Sequence, residues 1–284
     1  MVNDKAMTQA DLARLQERQF ELALRVRAIC DKNAIPYFLI AGTLLGAVRH
    51  KGFIPWDDDL DIGMLRRDYD RFIELAQYEL GSDYFVQTYH TDPDMPLPFA
   101  KVRINGTVLR ELGSRDCKWH PGIFIDIFPF DGVPANRALR WLHKSALFLF
   151  SRALLTACHF DPLAAGGSTL KRITYKALIA PVAWALPRRL QVKAIDRLAR
   201  MFSGAETDRV MATGGAYGYD SETIRRDWVL QQVPLDFGTS TFSCPVRWHD
   251  YLTNLYRDYM QLPPVESRYN RHGIIEIDFG KEKR

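Results

Sequence analysis

The sequence is poor in cysteine. Four cysteines occur in 284 residues, and they lie far apart, without the paired spacing of a zinc site or a disulfide framework: Cys30, Cys117, Cys158 and Cys244. The segment 1–11 also lacks the apolar core of a secretory signal peptide. These absences exclude a disulfide-stabilised scaffold and predict reduced thiols in a cytoplasmic protein.

Long apolar runs and sequence repeats are also missing. A membrane-spanning helix needs about 20 mostly apolar residues, and Lys144, Arg152 and Pro181 interrupt the apolar stretches of the middle of the chain well before that length. The composition, 47% hydrophobic and 25% charged, excludes disordered, collagen-like and coiled-coil chains. The length allows two small domains, or one large domain that carries an insertion.

Charge is unevenly distributed along the chain. The segment 139–200 contains eleven basic and two acidic residues, a net charge of +9, so the rest of the chain carries −5. The same segment is rich in aliphatic and aromatic residues. We predict that residues 136–204 form a basic, mainly helical insertion, and that residues 1–135 and 205–284 together form the core.

The amphipathic pattern of this basic segment has two interpretations. Cations that alternate with aromatic residues at helical spacing are typical of a helix on an anionic membrane surface. A helical subdomain packed on the rest of the protein gives the same pattern. The sequence leaves both open. We expect peripheral association with the inner face of the membrane, and no binding to nucleic acid.

The remaining pattern predicts an α/β fold, a mixed sheet flanked by helices. Short apolar runs bounded by turn residues predict strands, and segments with apolar residues three and four apart predict helices. The predicted strands cover 37–40, 59–64, 84–88, 99–104 and 122–128, with a hairpin over 229–235 and 241–244. The predicted helices cover 8–33, a helix starting at 44–48, 68–80 and 248–260.

The chemistry is concentrated around an acidic motif. Asp59 and Asp61 are two residues apart on a predicted strand, so both carboxylates are expected on one face. Two adjacent carboxylates repel each other unless a cation lies between them, and oxygen ligands suit Mg²⁺ or Mn²⁺. An acidic surface turn is the alternative for this motif taken alone.

Three neighbouring features favour a phosphate and metal site. Gly42 and Thr43 follow a strand and open a helix, where backbone N–H groups and a hydroxyl can bind phosphate. Asp126 lies within an apolar strand, where an unpaired carboxylate is unfavourable. Candidate cations for a bound phosphate are Arg49, Lys51, Lys101 and Arg103. Trp56 could contact a quaternary ammonium through its ring, or pack in the core.

The block from Ala41 to Ile62 closely resembles the signature of the LicD family, which includes the fukutin-related proteins. The segments 101–103, 122–129 and 251–264 resemble further family segments in family order. Ala41 departs from the pattern, because the family often has glycine there. The segment Arg271-His272-Gly273 resembles a C-terminal family motif, to which we assign no role.

The resemblance implies a nucleotidyltransferase-like core that transfers a phospho-alcohol from a CDP-activated donor such as CDP-choline to a glycan or glycolipid hydroxyl. It implies that Asp59 and Asp61 hold Mg²⁺ on the donor, and that Asp126 completes the metal site or takes the proton of the attacking hydroxyl. The donor would contact Gly42, Thr43, Arg49, Lys51, Trp56, Lys101 and Arg103. The alternatives are a nucleotidyltransferase that releases pyrophosphate and an inactive membrane-associated scaffold.

Overall fold

The computed structural model describes residues 7–163, 169–204, 207–270 and 273–281. Arg271 and His272 lie outside the described residues. The helices are α1 (Gln9–Lys32), α2 (Ala41–His50), α3 (Arg66–Leu80), α4 (Arg137–Ala157), α5 (Thr169–Ala185), α6 (Arg188–Arg200), α7 (Tyr219–Glu222) and α8 (Trp248–Tyr256). The strands are β1 (Phe38–Leu39), β2 (Asp61–Leu65), β3 (Tyr84–Gln87), β4 (Ala100–Ile104), β5 (Val108–Glu111), β6 (Phe124–Gly132), β7 (Arg209–Ala212), β8 (Thr223–Arg225), β9 (Gln232–Phe237), β10 (Ser240–Pro245) and β11 (Ile274–Asp278).

A mixed sheet lies at the centre of the fold. Its described strands run in the order β1-β2-β6-β4-β3, and β7 pairs with the end of β6 and with β8. The pair β2 and β6 is parallel, whereas β4 runs antiparallel to β6. All nine residues of β6 are buried, so this strand forms the middle of the core. The predicted α/β class with a mixed sheet and flanking helices is confirmed.

Helix α1 packs on the sheet through an apolar stripe. Thr8 and Asp11 form a reciprocal capping box that fixes its first turn. The buried face has a polar member, Gln19, whose exposure is 0% among leucines such as Leu15 and Leu22. A buried amide needs hydrogen-bond partners. The Gln19 amide nitrogen donates to one carbonyl in the loop before β2 and to one at the start of β6, whereas its Oε1 has no partner among the described residues.

The strand predicted over 59–64 begins later than expected. Strand β2 starts at Asp61, and Asp59 lies in the preceding loop, so the predicted strand is two residues too long at its start. The placement of both carboxylates on one face stays a prediction. The pairings of β5 with β11 and of β7 with β8 were not predicted either, because they join segments that are distant or short.

Helices α4, α5 and α6 occupy residues 137–200 and contact one another. They also pack on the rest of the protein: Tyr89 Oη donates to Asp196, and the Arg188 guanidinium donates to the carbonyl of Tyr89. The division into core and insertion stays a prediction.

No described helix has the length and apolar character that crossing a membrane requires. Large aromatic side chains nevertheless face outward, with Trp141 66% and Trp184 81% exposed.

Candidate active site

Three charged side chains share one row across the centre of the sheet. The strand registers pair Asp61 of β2 with Asp126 of β6, and Asp126 with Lys101 of β4. Paired residues on neighbouring strands point to the same face of a sheet. The sheet therefore brings together two of the three predicted catalytic acids and one predicted cation.

Asp126 and Lys101 form a buried ion pair. The Lys101 ammonium lies 2.7 and 2.9 Å from the two carboxylate oxygens of Asp126, and 3.5 Å from the ring centre of Phe124. Burial raises the pKa of Asp126, and the adjacent ammonium opposes that rise. The carboxylate that the sequence left without an identified partner is thus neutralised from the next strand.

Helix α2 begins at Ala41, earlier than the predicted start at 44–48, so Gly42 and Thr43 lie in its first turn. Ala41 has a φ of +46°, in the left-handed region that favours glycine. A Cβ atom on Gly42 would lie 2.8 Å from Oδ2 of Asp57, so glycine permits that carboxylate to approach the helix. The Thr43 hydroxyl accepts a hydrogen bond of 2.8 Å from the backbone N–H of Asp61 and keeps its own proton for donation. Thr43 therefore ties the helix start to the acidic strand.

The loop before β2 carries a compact acidic cluster. Asp57, Asp58 and Asp59 each offer a carboxylate oxygen, and these oxygens lie within 4.8 Å of one another. Among the described residues no such group joins the predicted set of Asp59, Asp61 and Asp126. Asp59 precedes β2, and Asp126 is paired with Lys101.

Two glutamines of α1 hold this acidic loop in place. The Gln19 amide donates to the backbone carbonyl of Asp58 at 2.8 Å and to that of Phe124 at 3.2 Å. The Gln16 amide donates to the carbonyl of Asp57 at 2.8 Å. Sequence reasoning did not identify this role. The signal was a glutamine inside an otherwise apolar helix stripe.

The donor set of this region fits a hard divalent cation. Three carboxylates close together supply the oxygen ligands that Mg²⁺ prefers. Asp59 belongs both to this cluster and to the predicted metal set. We therefore regard Asp59 as the central candidate ligand, with Asp57, Asp58 and Asp61 as its neighbours.

A second patch beside the acidic loop is cationic and aromatic. The Arg268 guanidinium lies 5.6 Å from the ring centre of Trp56, and the His50 ring lies 6.3 Å from it. Arg49 donates to the carbonyl of Tyr259 at 2.9 Å, and burial together with the nearby Arg268 lowers the pKa of Arg49. The C-terminal segment thus folds back on the loop and adds a cation, Arg268, that sequence reasoning did not find.

The other two predicted donor cations have different surroundings. The side chain of Lys51 is exposed, and its residue ends α2 in a left-handed conformation. Arg103 is 1% exposed and donates to Gln87 and to the carbonyl of Gly122 at 2.6 Å. These two hydrogen bonds use two of the five N–H donors of a buried guanidinium, and the contact of Arg103 with the donor stays a prediction.

Tyr217 lies near the acids, and Glu222 contacts Tyr217. Burial raises the pKa of Tyr217 to about 12, and the charges of Asp61 and Asp59 contribute to the rise. The Tyr217 backbone N–H donates to Glu222 at 3.1 Å, and burial raises the pKa of Glu222 to about 7. Both lie in a stretch where the sequence showed no motif, so no local signal identified them.

Comparison with known proteins identifies the class of this domain. Residues 34–159, which carry all three predicted catalytic acids, match the profile described as the LicD/FKTN/FKRP nucleotidyltransferase domain. Residues 34–159 are therefore similar to a LicD-family domain. Over 254 residues it is 28% identical to the lipopolysaccharide cholinephosphotransferase LicD of Haemophilus influenzae, covering 86% of this chain and 89% of that protein.

Two shorter similarities involve other relatives. A stretch of 62 residues, 22% of this chain, is 39% identical to the human ribitol 5-phosphate transferase FKRP and covers 12% of that protein. A stretch of 56 residues, 20% of this chain, is 46% identical to an uncharacterized protein of Rickettsia typhi and covers 18% of it.

Proposed function

We propose that this protein is a Mg²⁺-dependent phosphotransferase that moves a phospho-alcohol from a CDP-activated donor to a hydroxyl of a glycan or glycolipid and releases CMP. The observation that carries the proposal is the sheet row of Asp61, Asp126 and Lys101 beside the acidic cluster at Asp59. The matching relatives support it, because their names describe transfer of cholinephosphate onto lipopolysaccharide and of ribitol 5-phosphate.

Phosphoryl transfer depends mainly on positioning and on neutralising phosphate charge. When bound, Mg²⁺ would supply that neutralisation at the donor diphosphate, held by Asp59 with its acidic neighbours. The start of α2, with Gly42 and Thr43, presents backbone N–H groups next to the same loop. Arg49, Lys51 and Arg268 are the cations available to the departing CMP, because Lys101 is engaged by Asp126 and Arg103 is buried.

We consider two roles for Asp126 in the reaction, metal ligand and proton acceptor. As a metal ligand it would have to exchange the Lys101 ammonium for the cation. As a proton acceptor for the glycan hydroxyl it would keep Lys101, and the raised pKa makes it a better base than an exposed aspartate. A variant Asp126→Asn separates the roles: loss of Mg²⁺ affinity supports the ligand role, and loss of turnover at unchanged Mg²⁺ affinity supports the base.

Product analysis tests the reaction itself. The protein would be incubated with Mg²⁺, a glycan acceptor and one of CDP-choline, CDP-glycerol, CDP-ribitol, CTP or ATP, and the nucleotides separated by chromatography. We expect CMP from a CDP-alcohol. Pyrophosphate together with an acceptor carrying a nucleoside monophosphate would contradict this function and support nucleotidyl transfer. A variant Asp236→Asn, at an exposed aspartate on β9, is the control for loss of a carboxylate.

We further propose that α4 and α5 place the enzyme on an anionic membrane surface at the cytoplasmic side. Trp141, Lys144 and Phe148 recur at helical spacing on the exposed face of α4. A cavity of about 200 Å³ beside Trp141 is lined by Arg137, Arg140, Lys144 and Asp220. Asp220 pairs with Lys144, so the two arginines are the cations left for a lipid phosphate.

Vesicle flotation tests this location. The double variant Trp141→Ser with Trp184→Ser should lose binding to anionic vesicles, whereas Tyr78→Ser, which removes an exposed aromatic from α3, should retain it. Binding that is equal for neutral and anionic vesicles, or absent from both, would contradict membrane association.

A further inference from the structure

A second cavity lies at the opposite end of the parallel strand pair from the acids. It has a volume of about 400 Å³ and is lined by Leu65 at the end of β2 and Gly132 at the end of β6. Asp61 and Asp126 lie four to six residues earlier on the same strands, about 13–20 Å away at 3.3 Å per residue. The cavity is therefore separate from the candidate active site.

Arginines dominate the charge of this cavity. Its charged lining residues are Arg66, Arg67, Arg71, Arg226 and Asp68. The Arg66 guanidinium donates to the two carboxylate oxygens of Asp131 at 2.7 and 2.6 Å, so its charge is neutralised. The Arg71 guanidinium donates to the carbonyl of Asn33 at 3.0 Å. The side chains of Arg67 and Arg226 make no hydrogen bond or ion pair with any residue that the structure describes. Two guanidinium groups thus remain available to a ligand.

The position of the cavity favours an anionic ligand for a second reason. In open α/β sheets, ligands bind at the carboxyl ends of parallel strands, where a strand leads into a helix. Here β2 ends at Leu65 and α3 starts at the next residue, with no side chain of the N-cap bonded to its first turn. The size falls within the range of about 300–1,000 Å³ typical of small-molecule pockets.

We propose that this cavity is a binding site for a small phosphorylated molecule, distinct from the site of the transfer reaction. The phosphate contacts Arg67 and Arg226, because guanidinium groups bind phosphate oxygens through paired N–H donors. The organic part contacts the apolar lining formed by Pro36, Leu65, Phe202 and Val210. Asp68, the acid on the cavity wall, limits the affinity, since its charge repels the phosphate.

The test is calorimetric titration at constant ionic strength with glycerol 3-phosphate, inorganic phosphate and acetate as separate probes. We expect saturable binding of glycerol 3-phosphate, weaker binding of inorganic phosphate, and none of acetate. Equal affinity for the two phosphates would overturn the role of the apolar lining, and the absence of saturable phosphate binding would overturn the site.

Variants locate the binding. Arg226→Gln should weaken glycerol 3-phosphate binding at least fivefold, and Asp68→Asn should tighten it several-fold. The control Arg225→Gln, at an exposed neighbour already paired with Asp227 at 2.7 Å, should leave it unchanged. Asp59→Asn should also leave it unchanged, which separates this site from the proposed transfer reaction. Loss of binding in Arg225→Gln or Asp59→Asn, or no change in both Arg226→Gln and Asp68→Asn, would overturn the assignment.

Discussion

The ammonium of Lys101 lies within 2.7 and 2.9 Å of the two carboxylate oxygens of Asp126, and both side chains are buried. This pair joins β4 to β6, and β6 also pairs in parallel with β2, which carries Asp61. One charge of each sign is therefore buried in the candidate active site. The energetic cost of burying the Asp126 carboxylate depends on the Lys101 ammonium.

Removal of Lys101 should therefore destabilise the fold strongly. Lys101→Met leaves the carboxylate of Asp126 buried without a counter-charge, and we expect a loss of about 3–5 kcal/mol in the free energy of unfolding. Adding Asp126→Asn to this variant should recover a large part of the loss. The control Lys32→Met breaks an exposed pair with Glu79 and should cost at most about 1 kcal/mol. Urea unfolding measures the wild type and the three variants, and equal effects of the two single lysine variants would contradict a buried pair.

The glutamine anchor of the acidic loop gives a second prediction. Gln19→Met keeps the side-chain volume but leaves the carbonyls of Asp58 and Phe124 without the amide donor, which should cost about 1–3 kcal/mol. The looser loop should also weaken Mg²⁺ binding. The control is Gln9→Met, at an exposed position of the same helix. Urea unfolding measures the free energy of unfolding, and titration measures the Mg²⁺ affinity. If Gln19→Met matches Gln9→Met in both quantities, the loop does not need the Gln19 hydrogen bonds.

Trp56 should discriminate between donors. Its ring already faces a cation, the Arg268 guanidinium at 5.6 Å, so a quaternary ammonium can be bound in the same way. Trp56→Leu should raise the KM for CDP-choline about tenfold, in line with a cation–π contribution of up to about 2 kcal/mol. The KM for CDP-glycerol, which has no cation on its alcohol, should change little. Steady-state kinetics with both donors measures these values, with Trp228→Leu as the control variant. An equal rise of the KM for CDP-choline and for CDP-glycerol in Trp56→Leu would refute this role.

Glu222 should make stability depend on pH. Burial raises its pKa from 4.5 to about 7, so the folded state holds this proton more tightly than the unfolded state. Below pH 4.5 the carboxyl is protonated in both states, and the raised pKa does not change the free energy of unfolding. As the pH rises from 4.5 to 7, the free energy of unfolding falls, and above pH 7 the loss is roughly 3 kcal/mol. Glu222→Gln should therefore stabilise the protein at pH 8 and have little effect at pH 4.5.

Urea unfolding at both pH values checks the sign. The exposed Glu74→Gln is the control and should show no such difference between the two pH values. A Glu222→Gln variant that is less stable than the wild type at pH 8 would mean that the carboxylate is held in its charged form by groups around it.

The sequence predicts the elements of this fold better than it predicts their contacts. Strands such as β4 and β6 were predicted within a few residues because their apolar runs are local signals. The pairing of Lys101 with Asp126 depends on strand register, which composition does not reveal, and Arg268 reaches Trp56 only through the folding of the C-terminal segment. Asp59 was placed on a strand because the acid-apolar-acid alternation ignores where strand pairing begins.

The most direct test of the proposed site combines binding and turnover in Asp59→Asn. Thermal melts with and without Mg²⁺ and CDP-choline would be measured alongside CMP release, with Asp236→Asn as the matched control. If Asp59 holds the metal, the wild type and the control shift to higher melting temperature on adding Mg²⁺ and donor and release CMP, whereas Asp59→Asn folds, shows no shift and releases none. An Asp59→Asn variant that keeps the wild-type shift and the wild-type rate of CMP release would contradict the metal site.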